Sequence, residues 1–192
     1  MVAQFQELPS MTVEEYLEWE AKQELRYEYI DGEIIAMTGG TLPHNKIALN
    51  FYTALRPHLK AKGCEAYVSD VQVKDVRNQR YFYPDLVITC HEADLNARNF
   101  IEYPRVIVEV LSPSTAAYDR GQKFSYYRQL SSLTEYVLID SEAQRVEVYR
   151  RAEGKMWAYF PYERGDTITL DSIEFECDIA NLYEGVNWEE NP

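Results

Sequence analysis

Residues 106–111 read Val-Ile-Val-Glu-Val-Leu, and residues 83–88 read Tyr-Pro-Asp-Leu-Val-Ile. Each is a short apolar run broken by one acid. A run that is apolar on successive positions fits a strand covered on both faces, so Val106–Leu111 is expected at the centre of a sheet. A carboxylate in such a strand must be paired, metal-bound or protonated, because an isolated buried charge is costly. Asp85 and Glu109 are therefore where fold and chemistry meet. Taken singly, each has a plain account: Asp85 caps a turn after Pro84, and Glu109 pairs with a buried arginine. Taken together, two acids on neighbouring strands can converge on one divalent cation.

Outward from these strands, the pattern is regular. Toward the N-terminus, Thr12-Val13-Glu14-Glu15 reads as a capping box opening a helix to about Glu24. Arg26–Ile30 and Glu33–Met37 flank Asp31-Gly32, a dipeptide suited to a two-residue hairpin turn. Ile47, Ala48, Phe51, Tyr52, Leu55 and Leu59 form an apolar stripe at helical spacing that stops near Gly63, with Pro57 expected to kink it or mark a restart. Glu65–Ser69, Val71–Lys74, Tyr81–Cys90 and Arg105–Leu111 read as strands. Ser112-Pro113-Ser114-Thr115 then supplies hydroxyl caps for a helix over about 116–131, with Lys123, Tyr126, Tyr127 and Leu130 inward. Glu135–Ile139 and Arg145–Arg150 read as a hairpin, followed by short strands at Trp157–Phe160, Thr167–Leu170 and Ile173–Glu176. The order predicts an α/β (α+β) fold, a mixed central β-sheet flanked by helices with an N-terminal helix and β-hairpin. No repeat or linker divides the 192 residues. One domain over 1–192 is expected, with its core at about 12–150 and strands and a short helix beyond 151.

Composition sets the outer bounds. The chain is 46% apolar, 14% aromatic and 27% charged, which excludes a disordered or fibrous protein. Cys64, Cys90 and Cys177 are odd in number, far apart and without a C-x-x-C pair, so neither a disulfide framework nor a zinc ribbon is indicated. A reducing cytoplasm fits that usage. No apolar run is long enough to span a bilayer, and Met1–Ser10 lacks the features of a signal peptide. The net charge of −13 speaks against bulk attraction to nucleic acid. Yet residues 1–35 hold nine acids and two bases, and residues 163–192 hold nine acids and one base. The remainder holds fourteen acids and sixteen bases. Lys46, Arg56, Lys60 and Lys62 form one basic strip, and Arg120, Lys123 and Arg128 another. These are either solvated helix faces or a bed for a phosphate backbone. On the second reading, non-specific binding is weak, strongly dependent on salt, and reliant on Mg²⁺ and on these two strips.

Pro84-Asp85 followed twenty-four residues later by Glu109-Val110-Leu111 resembles the PD-(D/E)XK nuclease signature. The wider set resembles a bacterial family of putative restriction endonucleases. That set comprises Arg26 to Glu33, Pro43-His44-Asn45, Tyr83 to Val87, Val108 to Thr115, and Asp119 through Lys123 to Tyr127. The resemblance covers about residues 12–150. It implies a restriction-endonuclease-like fold, Mg²⁺ or Mn²⁺ held by Asp85, Glu109 and the carbonyl of Val110, and hydrolysis of nucleic acid, DNA in particular. In that signature a lysine stands two residues after the Glu; here the position is Leu111. Some branches carry the lysine on the following helix, which points to Lys123. Its alternative is a surface ion pair with Asp119 at i,i+4.

The resemblance also implicates Glu28, an acid from an N-terminal element, in catalysis. Between Tyr27 and Tyr29 on a strand it faces away from both rings; an exposed strand acid is the alternative. His44, Lys46 and Arg120 are candidate nucleic-acid contacts, with His44 otherwise a simple helix start. Ser112 and Ser114 lack a Gly-x-Ser-x-Gly elbow and are set aside as nucleophiles. Two rivals stand beside a Mg²⁺-dependent endonuclease: a catalytically inactive module of the same fold for binding or assembly, and a glycoside hydrolase using Glu28 and Glu109. The aromatic content makes a homodimer an expectation.

Overall fold

The computed structural model describes residues 2–5 and 10–188. Half of the Met1–Ser10 segment, residues 1 and 6–9 with Glu7 among them, lies outside, as do Glu189 and Glu190, all three acids counted above with the acidic ends. In chain order the elements are β1 (Val2–Phe5), α1 (Val13–Glu20), β2 (Arg26–Ile30), β3 (Glu33–Thr38), α2 (Leu42–Lys62), β4 (Glu65–Val68), β5 (Gln72–Asp75), β6 (Arg80–Phe82) and β7 (Leu86–Thr89). There follow α3 (Glu92–Leu95), β8 (Phe100–Ile101), β9 (Val106–Leu111), α4 (Ala116–Tyr118), a π-helical turn (Asp119–Lys123) and α5 (Phe124–Tyr127). The chain continues through β10 (Glu135–Asp140), β11 (Arg145–Arg151), β12 (Trp157–Glu163), β13 (Thr167–Leu170), β14 (Phe175–Asp178) and α6 (Ile179–Leu182).

The strands form two six-stranded sheets and one small ribbon, β13-β14. The first sheet runs β1-β3-β2-β6-β5-β8 and the second β12-β11-β10-β9-β7-β4. Both are mixed. In the second sheet β9 lies parallel to β10 and antiparallel to β7, an interior position in keeping with its apolar sequence. All six of its residues are buried. Alternation along β9 divides the core: Val106, Val108 and Val110 pack toward α2, while Ile107 and Leu111 join Tyr127, Phe82 and Ile30 on the other face. Glu109 has the parity of that second face.

Local chemistry accounts for the boundaries. Thr12 and Glu15 form the expected reciprocal capping box. Asp31 and Gly32 both take positive φ, 53° and 93°, as the two central residues of a type I′ turn must. A Cβ at Gly32 would stand 2.8 Å from Ser10 Oγ, a contact that rotation of the exposed serine side chain relieves, so it is the positive φ that calls for glycine there.

Several expectations need correction. Tyr81–Cys90 is not one strand: it divides at Tyr83-Pro84-Asp85 into β6 and β7, which belong to different sheets. The proline supplies no ladder N–H, and the chain crosses between sheets at that point. Pro57 marks no restart, because α2 runs unbroken from Leu42 to Lys62. The proline is exposed, so the carbonyl it leaves without a helical partner can be hydrated. The helix expected over 116–131 has α-helical ends at 116 and 127 and a π-helical turn between them. The strand expected at Ile173–Glu176 begins at Phe175 after a 3₁₀ turn.

The reading of the cysteines is also corrected. Cys64 and Cys90 form a disulfide across 26 residues of sequence, with Cα atoms 4.2 Å apart. The antiparallel register of β4 on β7, Glu65 opposite Thr89, places these flanking residues beside each other. The ground for a reducing compartment, three unpaired thiols, is thereby removed. Among the described residues, no helix is long and apolar enough to cross a membrane.

Candidate functional site

Where the two sheets face each other, four carboxyl groups and one lysine share a buried space. The antiparallel rungs of β7 on β9 run to Leu86 opposite Val108, and one further step along that register brings Asp85 opposite Glu109. The Asp85 carboxylate is fixed there: its Oδ2 accepts the Val110 N–H at 2.8 Å and lies 3.2 Å from His44 Nε2. From the other sheet, Glu28 Oε1 accepts the Tyr83 N–H at 2.9 Å. Glu28 is wholly buried, on the strand face opposite Tyr27 and Tyr29, so its exposed alternative is excluded. The path from β6 to β7 through Tyr83-Pro84-Asp85 thus ties both sheets to the site.

Lys123 closes the cluster. It lies in the π-helical turn, 2% exposed, with Nζ 2.9 Å from Glu109 Oε1 and 3.1 Å from Glu28 Oε1. The surface Asp119–Lys123 pair is therefore not what the structure contains; Asp119 is itself 4% exposed. Tyr127, one helical turn beyond Lys123, donates its hydroxyl to the same Glu109 Oε1 at 2.9 Å. Tyr136 donates to the Asp119 carbonyl at 3.1 Å. Leu111, at the position where the signature has its lysine, is buried in the apolar core.

The electrostatics report an excess of carboxylate. Burial pushes the Glu109 carboxyl up despite Lys123 beside it, with Asp85, Asp119 and Glu28 adding to the rise. Burial raises Asp119 as well. Burial alone would lower Lys123, but Glu109 and Glu28 outweigh it and hold its proton more firmly than usual. Asp85 moves the other way: against burial, the hydrogen bond and charge of His44 hold it below the ordinary carboxylate range. Four acids thus surround one lysine and one histidine. Glu28 Oε2 is buried with no hydrogen-bond partner among the described residues.

Of the other candidates, His44 touches the cluster, whereas Lys46 and Arg120 are engaged elsewhere. His44, 5% exposed, sits in the first turn of α2, whose N-cap Thr41 accepts the His44 N–H. Asp85 and His44 line a cavity of about 230 Å³. Lys46 donates to the Gly185 carbonyl at 2.7 Å, and Arg120 grips Glu147 Oε1 at 2.6 and 2.9 Å. Tyr127 touches Glu109 but reads in the sequence as one more inward aromatic of its helix. The available signal was the i,i+4 spacing of Asp119, Lys123 and Tyr127 on one helix face.

Mixed sheets flanked by helices carry Glu109 within β9 and Asp85 just ahead of β7. A crystal structure of a "putative nuclease" from Anabaena variabilis ATCC 29413 shares the fold, with a TM-score of 0.74 and 18% identity over 91% of this chain and 98% of that one. The chain belongs to the Uma2 family, described as "Putative restriction endonuclease", whose pattern it matches over residues 13–180. Two Synechocystis proteins are similar throughout most of their lengths, and both are named as uncharacterized. One, slr1290, is 38% identical over 178 residues, 93% of this chain and 94% of its own. The other, sll1609, is 35% identical over 149 residues, 77% and 84% respectively.

Proposed function

We propose that the protein is a metal-dependent endonuclease that hydrolyses phosphodiester bonds of nucleic acid, DNA in particular. The observation that carries this reading is the contact of Lys123 Nζ with both Glu28 and Glu109, in a buried cluster where carboxylates outnumber bases. Among the described residues no three His, Cys, Asp or Glu side chains form a ready metal cage. That does not disqualify Mg²⁺ or Mn²⁺. Mg²⁺ uses one or two carboxylates and completes its shell with water and substrate phosphate. The surplus negative charge of Asp85, Asp119 and Glu28 around Glu109 favours a cation here, so the donor set fits.

In this reading Asp85, Glu109 and the carbonyl of Val110 hold the ion. When bound, it supplies charge neutralisation at the scissile phosphate and acidifies a water molecule. His44 and the Val110 N–H hold Asp85 in place. Tyr127 and Lys123 hold Glu109 through Oε1, and among the described residues none hydrogen-bonds Oε2. Lys123, kept protonated by its two carboxylate neighbours, orients the attacking water and offsets developing negative charge. Glu28 fixes the ammonium group from the far side. The first turn of α2 contains no acid, so its N–H groups favour a phosphate near His44.

The test is nicking of supercoiled plasmid in Mg²⁺ or Mn²⁺ by wild type and Glu109→Ala. Cleavage by the wild type that drops at least a hundredfold in the variant supports the assignment. Equal nicking by both overturns it, because a contaminant then accounts for the activity.

A second reading, an inactive binding or assembly module, is favoured by Leu111 at the motif lysine's position and by the engagement of Lys46 and Arg120 with the protein itself. Calorimetric titration with Mn²⁺ separates the two: heat that disappears in Asp85→Asn and Glu109→Gln belongs to the nuclease reading. A homodimer would present two such sites to a duplex, and sedimentation equilibrium checks it.

A further inference from the structure

A second cavity, about 620 Å³, opens on the other side of His44. We propose that it receives an unpaired nucleobase, so that the substrate is nucleic acid with a splayed-out nucleotide next to the scissile phosphate: a single strand, a flap or a mismatch. This rests on the nuclease reading and narrows its substrate.

The cavity is continuous with the carboxylate site. His44 lines both this cavity and the smaller one that contains Asp85. Ser112 and Pro113, in its wall, directly follow the β9 strand that carries Glu109. A chain whose phosphate lies at Asp85 and Glu109 therefore has this space beside its path.

The lining suits a base. Flat π-faces need apolar plates, and base edges need a few polar groups. Leu42 is 87% exposed and Trp188 42% exposed, and both border the cavity with Pro113. Ser141 and Asn187 supply polar groups to the same wall. Trp188 is already fixed: its indole N–H donates to the Ser141 carbonyl at 2.6 Å, and its ring lies 5.7 Å from that of Tyr183. Tyr183 is anchored in turn by donation to the Asp140 carbonyl. A pre-positioned indole stacks without first losing side-chain freedom.

Charge points to the same class of ligand. Three bases of the two basic strips are engaged by the protein: Lys46 with Gly185, Arg120 with Glu147, and Lys62 with Glu174. Phosphate neutralisation alone is then a weak source of affinity, whereas stacking is indifferent to net charge. A base inside a duplex has both faces covered by neighbours. Only an unpaired or extruded base can enter a cavity.

The experiment is fluorescence anisotropy with a labelled oligonucleotide, as a single strand and as a duplex of the same sequence, in Ca²⁺ with full-length protein. The expected result is single-strand affinity at least about tenfold above that for duplex. Trp188→Ala loses about tenfold for the single strand and little for the duplex, whereas Trp188→Phe retains most binding. An RNA strand that binds as tightly supports the same cavity, since a base is held and not a sugar. Equal affinity for single strand and duplex overturns the proposal, as does equal weakening of both by Trp188→Ala. If Trp188→Ala fails to fold, Leu42→Ala, at an 87% exposed position, carries the same comparison. Plasmid nicking by wild type and Glu109→Ala reports separately on hydrolysis, so failure of the base cavity and failure of the nuclease reading are distinguishable.

Discussion

Glu109 and Lys123 touch, yet they play unequal parts in stability. Lys123 is the shared counter-charge of two buried carboxylates, and removing it leaves both without an ion-pair partner among the described residues. Lys123→Met is expected to cost about 3–5 kcal/mol in urea unfolding, the usual penalty for orphaning a buried ion. Glu109→Gln removes one of several competing negative charges while Lys123 keeps Glu28. It is expected to leave stability unchanged or higher while abolishing cleavage, a separation that plasmid nicking and urea unfolding together would show. The pH dependence has a definite sign. The Glu109 carboxyl is raised above its ordinary 4.5, so the folded protein binds that proton more tightly than the unfolded chain. Its contribution is present below pH 4.5 and is lost as pH rises through the raised value. The stability advantage of Glu109→Gln over wild type should therefore widen from pH 5 to pH 9.

At the scale of elements, the site depends on segments that are far apart in sequence being held at their ends. The start of α2 carries His44 and the start of β7 follows Asp85; the opposite ends of the same two elements meet at the Cys64–Cys90 disulfide. The bond closes a loop of 26 residues, worth about 3–4 kcal/mol in the chain-entropy account. Reduction, or Cys64→Ser, should lower the unfolding free energy by about 2–4 kcal/mol. An unchanged midpoint after thiol quantification confirms reduction would contradict that expectation. The π-helical turn is the other element-scale device. One widened turn at Asp119–Lys123 lets the lysine reach Glu109 and Glu28 while Tyr127 still faces Glu109, and such turns recur at functional sites.

For the whole molecule, the charge of −13 and the engaged basic side chains limit how firmly phosphate can be gripped. The affinity for single strands should fall only gently with salt, with a slope of log affinity against log salt no steeper than about −3, corresponding to a few phosphates. A slope near −6 would mean that the strips around Lys46–Lys62 and Arg120–Arg128 track the backbone after all. The two facing sheets matter at this scale as well. Asp85 and Glu109 come from one sheet and Glu28 from the other, so any change that separates the sheets also opens the lysine cluster.

Much of this was legible along the chain. The continuous apolar run of Val106–Leu111 determined a covered, central strand, Asp31-Gly32 determined the hairpin, and Thr12-Glu15 determined the start of α1, because each depends on neighbours in sequence. The family resemblance rested on ordered motifs and needed no coordinates. Tertiary structure alone decided that Tyr81–Cys90 divides between two sheets, that Cys64 meets Cys90, and that Lys123 passes over Asp119 for Glu28 and Glu109. It alone showed Arg120 held by Glu147 and the cavity beside His44. The physical reason is common to all of these. Burial and pairing of charges depend on which distant segments share a space, and a residue's immediate neighbours in sequence carry little information about that.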